Sequence, residues 1–577
     1  MSLYLKISKI IKKALIDSSA PLDCNPGIKK SSSHQTSDYQ VNGIISIAKK
    51  MNIDPHIFSK KVIKNIKKKD FYEKINIIES GLITINLNKH WLEKEIEVMF
   101  SCSRLNIYKT TKPKTIVIDY SSPNIAKEMH VGHLRSTIIG DVLARVLEFL
   151  GHKVIRANHI GDWGVQFGLL IAYLIEKKIN NEKKISLNIL DLIYQKAKKK
   201  YEENKNFSKK VKNYTFLLQK KDSFCMKIWK NIVNITIKYN QKIYKKLNVS
   251  LHQKDIKGES EYSDMLDPIV KDLIQKKIAI KNNGLSLIYL KEFKNRNGET
   301  MGVVIKKQDG SFLYSTIDIA CLKYRCQVLK ADRVVYYTDS RQEQHLKQIT
   351  IIAKKAGYIP KNVLVEHHIF GMVLSKNKQP FKTRTGNNIK LLTLLDKAVK
   401  KSIKIIKEKN SNMSQTELET YAPIIGIGAL KYFDLSKNRS NNYVFDWDQM
   451  LSFEGNTAPY IQYAYTRIIS IIEKSKLDNS NILGEIYLKK EIEKKLVIKL
   501  LEFEETIINV SKYGKPHVMC LYLYELSSIF SSFYETCTIL FSKKRKIFIS
   551  RIKISLLTAK VIKKGLNLLG IKTIKKM

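Results

Sequence analysis

The spacing of apolar residues divides the chain into three regions with different periodicity. In the first region, residues 1–110, apolar positions recur first with a helical period and later in strict alternation. The helical segments are 5–16, 42–50 and 92–99, and the alternating segments are 71–78 and 81–87. This mixture predicts a small α+β domain at the N-terminus.

The second region, residues 111–395, alternates β-branched strands with amphipathic helices. The predicted strands are 115–120, 153–159, 333–337 and 363–373, and a helix over 131–150 is closed by Gly151. Such alternation is typical of an α/β fold, so we expect a doubly wound, Rossmann-like parallel sheet. Lysine-rich helices interrupt the pattern from about residue 177 to 300, and we interpret them as an insertion.

The third region, residues 396–577, keeps a helical period throughout. Helices are predicted at 421–432, 457–472, 487–510, 516–534 and 549–569. This pattern predicts an all-α bundle, a form that an RNA-binding domain can take.

With 577 residues, 44% of them hydrophobic, the chain is long enough for several packed domains. No apolar run reaches the roughly 18 residues of a membrane-spanning helix. Lysines interrupt the apolar residues at the N-terminus, which argues against a signal peptide, so we expect a cytoplasmic protein without a membrane partner. Seven cysteines without a Cys-x-x-Cys pair favour neither a disulfide framework nor a structural zinc site.

The formal net charge of +49 indicates a polyanionic partner, because clustered lysines displace counterions from a phosphate backbone. Compositional drift toward lysine is the alternative explanation for about half of the excess, since lysines occur in almost every segment. The sign of the charge fits an RNA-binding protein without proving one.

A polar loop follows the first strand of the α/β region and ends in His130-x-Gly132-His133 at the start of a helix. In α/β sheets, nucleotides bind outside the carboxyl end of a strand and beside a helix N-terminus. Gly132 lets the backbone approach a ligand, and the two imidazoles can donate hydrogen bonds to phosphate oxygens. The alternative is a pair of solvated or internally satisfied histidines.

The longer string Ser121-Ser-Pro-Asn-Ile-Ala-Lys127, followed by His130-Val-Gly-His133-Leu-Arg-Ser-Thr, resembles the HIGH-motif region of class I aminoacyl-tRNA synthetases. Within that class it is most similar to the arginyl-tRNA synthetases. The resemblance implies that Lys127, His130, Gly132 and His133 form catalytic machinery acting on ATP. It also implies that Mg²⁺ arrives with the ATP and that no protein-bound metal is needed.

Residues 371–388 occupy the place of the second class I signature, the KMSKS loop, but read Phe381-Lys382-Thr-Arg384 at the matching stretch. The resemblance implies catalytic roles for Lys382 and Arg384, with Lys127 supplying the positive charge that the altered motif lacks. A basic loop closing on polyphosphate is physically reasonable, because the transition state spreads negative charge over phosphate oxygens. A solvated basic hairpin is the alternative.

Tyr314 and Asp318 stand at i and i+4, which places an aromatic hydroxyl and a carboxylate on one helical face. On spacing alone an ordinary helix start is the alternative. The resemblance implies that both hold the guanidinium of arginine. It further implies arginine-binding roles for Asp119, Ser121, Asn124 and Gln342 and an ATP-binding role for His345.

Residues 453–467 resemble the opening of the anticodon-binding domain of the same enzymes. Tyr460, Gln462, Tyr463 and Arg467 have spacings that can share a helical face, and exposed aromatics with arginine stack on unpaired bases. Core packing is the alternative for such a stripe. We expect Tyr460 and Arg467 to contact RNA and Tyr463 to belong to the core. By resemblance, Met577 abuts the anticodon loop, and residues 1–110, by position, contact the tRNA elbow.

The expected activity is therefore the ligation of arginine to tRNA(Arg) with ATP, by a chain that the family pattern predicts to be monomeric. One alternative is a synthetase for another amino acid. Cysteinyl enzymes have a related tail but hold their substrate through zinc, which the cysteine spacing here does not offer. The second alternative is a non-catalytic RNA-binding module that retained the fold, against which the intact histidine motif argues.

Overall fold

The computed structural model describes residues 2–31, 37–179, 185–294, 297–381, 389–409, 413–477, 482–542 and 544–576. The N-terminal region folds as an α+β domain, as predicted. Its strands are β1 (Ile28–Lys30), β2 (Tyr39–Val41), β3 (Tyr72–Ile77) and β4 (Ile83–Leu87), and its helices are α1 (Leu3–Asp17), α2 (Gly43–Lys50), α3 (Pro55–Lys64) and α4 (Lys89–Ser101). The strands form an antiparallel sheet in the order β1-β2-β4-β3.

The α/β region begins with a strand that is buried on both faces. Its first elements are β5 (Thr115–Asp119), α5 (Val131–Phe149), β6 (Lys153–Ala157) and α6 (Val165–Glu176). Along β5, Ile116 and Ile118 pack into the apolar cluster that contains α5, whereas Val117 packs into a second cluster on the opposite face. Successive side chains of a strand point to opposite faces, so this β-branched run is suited to a sheet covered on both sides.

The insertion contains helices and, at its end, a sheet. Its elements are α7 (Leu187–Glu203), α8 (Lys205–Gln219), α9 (Ser223–Lys246), α10 (Ser263–Gln275), β7 (Ile280–Asn282), β8 (Leu285–Lys294) and β9 (Thr300–Lys306). The prediction of helices up to residue 300 is wrong for the last part, where the three strands pair antiparallel. Asn283 and Gly284 join β7 to β8 with φ angles of 47° and 75°, the left-handed pair that an Asn-Gly hairpin turn requires.

The α/β sheet then resumes on the other side of β5. Its remaining elements are α11 (Tyr314–Gln327), β10 (Arg333–Tyr336), α12 (Glu343–Lys355) and β11 (Leu364–His367). All four strands are parallel, in the order β11-β10-β5-β6, which confirms the doubly wound parallel sheet. The chain leaves β5 toward β6 and later returns to β10, so the sheet has its topological switch point between β5 and β10.

The C-terminal region is a helical bundle, as predicted. Following β12 (Val373–Leu374), its elements are α13 (Leu391–Lys409), α14 (Gln415–Leu435), β13 (Tyr443–Val444), α15 (Trp447–Leu451), α16 (Ala458–Lys474), α17 (Glu491–Leu501), α18 (Phe503–Tyr513), α19 (His517–Thr536) and α20 (Arg545–Leu568). Among the described residues, no helix has both the length and the apolar character needed to cross a bilayer.

Two predicted elements are each divided in the structure. The strand predicted over 363–373 is β11 plus β12, and β12 pairs with β13 outside the main sheet. The helix predicted over 487–510 is α17 plus α18, which meet at Glu502. The buried Glu502 carboxylate accepts a hydrogen bond of 2.5 Å from Lys30 of the N-terminal domain. Both divisions occur where partners distant in sequence pair with the segment.

A buried lysine joins three distant parts of the chain. Lys431 of α14 is 1% exposed, and its Nζ donates to the carbonyls of Leu247, after α9, and Gly570, after α20, at 2.7 and 2.8 Å. Burial lowers the pKa of Lys431 to about 7. Gly570 has a φ of 68°, and a Cβ on it would lie 2.5 Å from the Lys431 Nζ. We call Leu247, Lys431 and Gly570 the lysine junction.

Candidate active site

Two histidines begin helix α5 and cap it reciprocally. His130 is the N-cap residue, and its Nδ1 accepts a 3.0 Å hydrogen bond from the backbone N–H of Gly132. The Nδ1 of His133 accepts from the backbone N–H of His130 at 3.1 Å. Because Nδ1 is the acceptor in both rings, we assign the proton of each neutral imidazole to Nε2. Each ring therefore keeps one N–H donor that its own helix turn does not use.

Both histidines are uncharged near neutral pH. Burial, together with the neighbouring His130, lowers the pKa of His133 to about 3. Burial also lowers the pKa of His130, assisted by the positive charges of Arg341 and Lys127. A Cβ at position 132 would lie 2.8 Å from Cε1 of the His130 ring, so Gly132 makes room for the ring itself.

The loop between β5 and α5 passes through left-handed conformations that non-glycine residues rarely adopt. Ser121, Ser122 and Ala126 have φ angles of 71°, 43° and 61°. The buried Ser121 hydroxyl lies 2.8 Å from the Tyr244 hydroxyl and accepts from Thr137 Oγ1 at 2.9 Å. Ser121 therefore fixes the loop between α5 and α9 and does not line the open cleft.

Asp119 ends β5 in a buried ion pair. Its Oδ2 lies 2.6 Å from the guanidinium of Arg325 on α11, and its Oδ1 accepts from Ser122 Oγ at 2.8 Å. Arg325 is separated from Asp119 by 206 residues, and no local pattern in the sequence marks it as part of the site. Because Arg325 neutralises Asp119, the negative charge at this edge of the sheet comes from other carboxylates.

A cleft of about 500 Å³ opens beside the histidine turn. Asn124, Lys127, His130 and His133 line it, and α7 supplies the facing wall. The Lys127 Nζ lies 4.7 Å from the centre of the Tyr194 ring on α7. The structure thus brings together Lys127, His130 and His133, which the sequence analysis predicted to act on ATP.

The residues predicted to hold the guanidinium also meet, on the α11 side of the sheet edge. The Asp318 carboxylate lies 2.6 Å from Nε2 of His345, and the Tyr314 ring lies 4.9 Å from the His345 ring. The Tyr314 side chain is 63% exposed at the first turn of α11. Gln342 is exposed in the short 3-10 turn Ser340–Gln342 that precedes α12. His345 therefore contacts two of the arginine-binding candidates, Asp318 and Tyr314.

The sequence analysis missed two further carboxylates near Asp318, those of Glu259 and Asp162. Burial, together with the negative charges of Asp318 and Asp162, raises the pKa of Glu259 to about 8. Asp162 is 4% exposed and accepts from the backbone N–H and hydroxyl of Ser260 at 2.9 and 2.7 Å. Asp318 and Asp162 thus lie close enough to Glu259 to affect its pKa, and negative charge at this place favours a cation. We call Asp162, Glu259 and Asp318 the carboxylate cluster. No local motif marks Glu259, because residues 258–260 meet the segment that follows β6 only in the folded chain.

The two parts of the site adjoin at Gly161. A Cβ at this position would lie 3.2 Å from Oδ1 of Asn124, which lines the cleft, and 3.7 Å from Oε1 of Glu259. Asn124 and Gly161 also form an isolated parallel bridge. The cleft beside the histidines and the carboxylate cluster are therefore neighbouring compartments of one site.

Lys382 and Arg384 lie outside the described residues, but both flanks of that segment are anchored. Before it, the Phe381 ring stacks on Phe445 with 4.9 Å between ring centres. After it, the backbone N–H of Val131 donates to the carbonyl of Ile389 at 2.9 Å. The second flank is thus hydrogen-bonded to the first residue of α5, directly after His130.

In the C-terminal bundle, two expectations for the stripe on α16 are wrong. Tyr463, expected in the core, is 47% exposed, and Gln462, expected on the same face, is fully buried and donates to the carbonyl of Lys572 at 2.8 Å. The half-buried Tyr460 ring lies 5.6 Å from Tyr524. Positions 460 and 463 lie one turn apart on the same side of the helix, so packing against neighbouring helices, and not the helical period, decides which one is exposed.

Of the other two RNA-binding candidates, Arg467 and Met577, only Arg467 is among the described residues. The Arg467 guanidinium carbon lies 4.2 Å from the centre of the Tyr534 ring, which holds it on the surface of the bundle. Met577 lies outside the described residues.

Comparisons with known proteins agree on all three regions. A family model described as "tRNA synthetases class I (R), catalytic domain" matches residues 95–447. A "DALR anticodon binding domain" matches residues 461–577, and an "Arginyl tRNA synthetase N terminal domain" matches residues 5–87. The fold and the histidine turn thus define a class I aminoacyl-tRNA synthetase.

Similar proteins narrow the class. "Arginine--tRNA ligase" of Buchnera aphidicola subsp. Acyrthosiphon pisum (strain Tuc7) is 56% identical over the full length of both chains, and that of Haemophilus influenzae (strain PittGG) is 51% identical. The chain belongs to the arginyl-tRNA synthetase family.

Solved structures agree with this assignment. The arginyl-tRNA synthetase of Plasmodium falciparum has a TM-score of 0.85 at 29% identity, covering 99% of this chain and 98% of that one. The Thermus thermophilus enzyme, at 20% identity, shows the same fold with a TM-score of 0.82 over 100% of both chains.

Proposed function

We propose that this chain activates L-arginine with ATP and transfers it to the 3′-terminal adenosine of tRNA(Arg), releasing AMP and diphosphate. The observation that carries the proposal is the pairing of two adjoining compartments. Neutral histidine donors and Lys127 line one of them, and Asp318, Glu259 and Asp162 form the other. A polyphosphate suits the first, and a guanidinium suits the second.

The arginine side chain would enter the carboxylate cluster. Guanidinium is planar and permanently charged and carries five N–H donors, so it matches carboxylates better than an ammonium does. Asp318 and Tyr314 bind it in this proposal, and Glu259 becomes ionised when it arrives. Asn124, at the boundary between the compartments, and the nearby Gln342 contact the rest of the amino acid.

The ATP phosphates would lie over the histidine turn. A carboxylate oxygen of arginine attacks the α-phosphorus, the bond to the bridging oxygen breaks, and diphosphate leaves with the Mg²⁺ that came with the ATP. Nε2–H donors of His130 and His133 stabilise the charge that develops on phosphate oxygens, together with Lys127 and, from the following loop, Lys382 and Arg384. No protein nucleophile takes part, so the rate gain comes from positioning and electrostatics.

Transfer then requires tRNA to reach the same cleft. The 2′-hydroxyl of the terminal adenosine attacks the arginyl carbonyl, and AMP leaves. We assign tRNA binding to the α16 surface around Tyr460, Tyr463 and Arg467, to Met577, and to the N-terminal domain. We expect the protein to act as a monomer in the cytoplasm.

Arginine-dependent exchange of diphosphate into ATP, measured with and without tRNA(Arg), tests the proposal. Exchange that requires both arginine and the tRNA is the expected result, because the resemblance to arginyl enzymes implies that activation needs tRNA. Exchange with another amino acid would contradict the assigned specificity. Folded protein that binds tRNA but catalyses no exchange would support the binding-module alternative.

A further inference from the structure

The insertion supports the short segment that carries Lys127. Ala126, in a left-handed conformation, donates its backbone N–H to Thr236 Oγ1 on α9 at 3.1 Å. Ile125 and Ala126 are buried in an apolar cluster with Leu187 and Leu190 of α7. The backbone on which Lys127 stands is therefore fixed by helices that belong to the insertion and not to the sheet.

The Lys127 ammonium is held by an aromatic face. Its Nζ lies 4.7 Å from the centre of the Tyr194 ring on α7, within the range of a cation–π interaction. A carboxylate in that place would occupy the N–H donors of the ammonium and neutralise its charge. A ring face attracts the cation through its quadrupole and leaves those donors available for phosphate oxygens.

The neighbouring carboxylate on the same segment has partners of its own. Glu128 accepts from the Tyr239 hydroxyl at 2.9 Å and forms an ion pair with Lys390. Lys390 in turn donates to Oδ1 of Asn188 on α7 at 3.0 Å. Asp191, one turn before Tyr194, lines the same cleft and is the other acidic group near Lys127. The ring of Tyr194 and the carboxylate of Asp191 are thus the neighbouring groups that can position the Lys127 ammonium.

We propose that Tyr194 is a positioning residue that holds the Lys127 ammonium over the ATP phosphates. The insertion then has a role in the chemistry, because α7 fixes the positive charge that the altered KMSKS motif lacks. This inference rests on the proposed function, since it assumes that Lys127 acts on ATP.

The test compares Tyr194→Leu, Tyr194→Phe and the matched control Tyr201→Leu, made two turns further along α7, in the full-length protein. Diphosphate exchange is measured with tRNA present while ATP and arginine are varied separately. We expect Tyr194→Leu to lower kcat/KM for ATP about tenfold, the size of a partly desolvated cation–π contact. The KM for arginine should stay within about twofold of the wild-type value. Tyr194→Phe, which keeps the ring, should retain the activity, and Tyr201→Leu should have the same kinetic constants as the wild type.

A double-mutant cycle separates positioning from a general structural effect. If Tyr194 acts through Lys127, Tyr194→Leu should cost no more than about twofold in a Lys127→Met background. An equal loss in both backgrounds would overturn the proposal. Thermal unfolding checks that the variants fold, and Tyr194→Met, which keeps the side-chain length without the ring, replaces the leucine variant if that one does not.

Two other results would also overturn the inference. One is an active wild type whose Tyr194→Leu variant has the same kcat/KM for ATP. The other is a tenfold loss caused by Asp191→Asn and not by Tyr194→Leu, which would mean that the carboxylate directs Lys127. A folded wild type without any arginine-dependent exchange would overturn the proposed function and this inference together, so the two failures can be told apart.

Discussion

The two compartments of the site differ in charge and in how the chain builds them. The ATP compartment takes Lys127, His130 and His133 from one short segment, and its histidines are kept neutral by burial. The arginine compartment takes Asp162, Glu259 and Asp318 from three segments far apart in the sequence. Its ionised carboxylates give it a negative charge, so it favours a cation.

This difference shows how each substrate is selected. Hydrogen-bond donors on a neutral turn can serve any nucleoside triphosphate and gain their value as charge develops in the transition state. The carboxylate cluster discriminates in the ground state, because only a cation compensates its negative charge. We therefore expect substitutions in the ATP compartment to lower kcat and those in the arginine compartment to raise the KM for arginine.

The largest effect is expected from Asp318→Ala. The Asp318 side chain is 29% exposed without substrate, and in the proposed complex the guanidinium covers it. Removing one partner of such a covered charge pair costs about 3–5 kcal/mol, so kcat/KM for arginine should fall roughly 10²- to 10⁴-fold while the KM for ATP is retained. Diphosphate exchange at varied arginine measures the change. Asp264→Ala, at a site whose side chain is 83% exposed, is the control. Unaltered activation by the Asp318 variant would refute the guanidinium assignment.

His133→Ala should lower kcat about 10²- to 10³-fold, because a donor to the developing phosphate charge is lost. The KM for arginine and the affinity for tRNA should not change. Losing the hydrogen bond that the His133 ring accepts from the His130 backbone N–H costs only about 1 kcal/mol, so the variant should remain folded. His90→Ala, whose side chain is 74% exposed on α4, serves as the control. A wild-type kcat in the His133 variant would argue that the turn is purely structural.

Glu259 gives the arginine compartment a pH dependence. Its pKa is raised to about 8 without arginine, so below pH 8 the carboxyl is protonated, and a bound guanidinium favours the ionised form. Arginine binding then releases a proton, and the KM for arginine should fall as the pH rises from 6 to 8 and level off above. Glu259→Gln should remove this dependence and weaken arginine binding about tenfold at pH 8.5.

Calorimetry in buffers with different ionisation enthalpies measures the released proton directly. An identical pH profile for the wild type and for Glu259→Gln would contradict the role of Glu259. Asp162→Asn is less suitable as a comparison, because Asp162 also holds the backbone at Ser260.

The smallest effect is expected outside both compartments. Tyr463→Ala should weaken tRNA binding about fivefold, at the lower end of what one stacked base contributes, and leave the KM values for ATP and arginine unchanged. Filter binding of tRNA(Arg) measures this, with Tyr513→Ala, 48% exposed on α18, as the control. Equal affinities for both variants would remove Tyr463 from the RNA surface.

The ATP compartment could be predicted from the sequence more fully than the arginine compartment. His130, Gly132 and His133 could be found because a helix start brings neighbours in sequence together. Glu259 and Arg325 could not, because each acquires its surroundings only when segments about a hundred residues or more apart meet. The sequence around residues 258–260 contains no motif from which the role of Glu259 could be predicted.

The fold shows where periodicity is sufficient and where it fails. The β-branched run of β5 predicted a strand of a parallel sheet, and the structure confirms it. The hairpin β7–β8 was hidden among lysines, although Asn283-Gly284 is a turn signal that could have revealed it. Residues 363–373 read as one strand because pairing with β13 in a separate sheet is a tertiary property. Tyr463 illustrates the same limit, since burial along a helix depends on what packs against it.

The lysine junction also bears on the order in which the protein is made. Lys431 needs the carbonyl of Gly570, which the ribosome adds 139 residues later. Until that residue emerges, the buried ammonium lacks one of its two partners, and packing α14 against the end of α9 leaves a cation incompletely satisfied. The docking of α14 onto the end of α9 is therefore postponed until Gly570 has been synthesised. A nascent chain can fold its sheet early, but the lysine junction forms only after the segment that carries Gly570 has emerged.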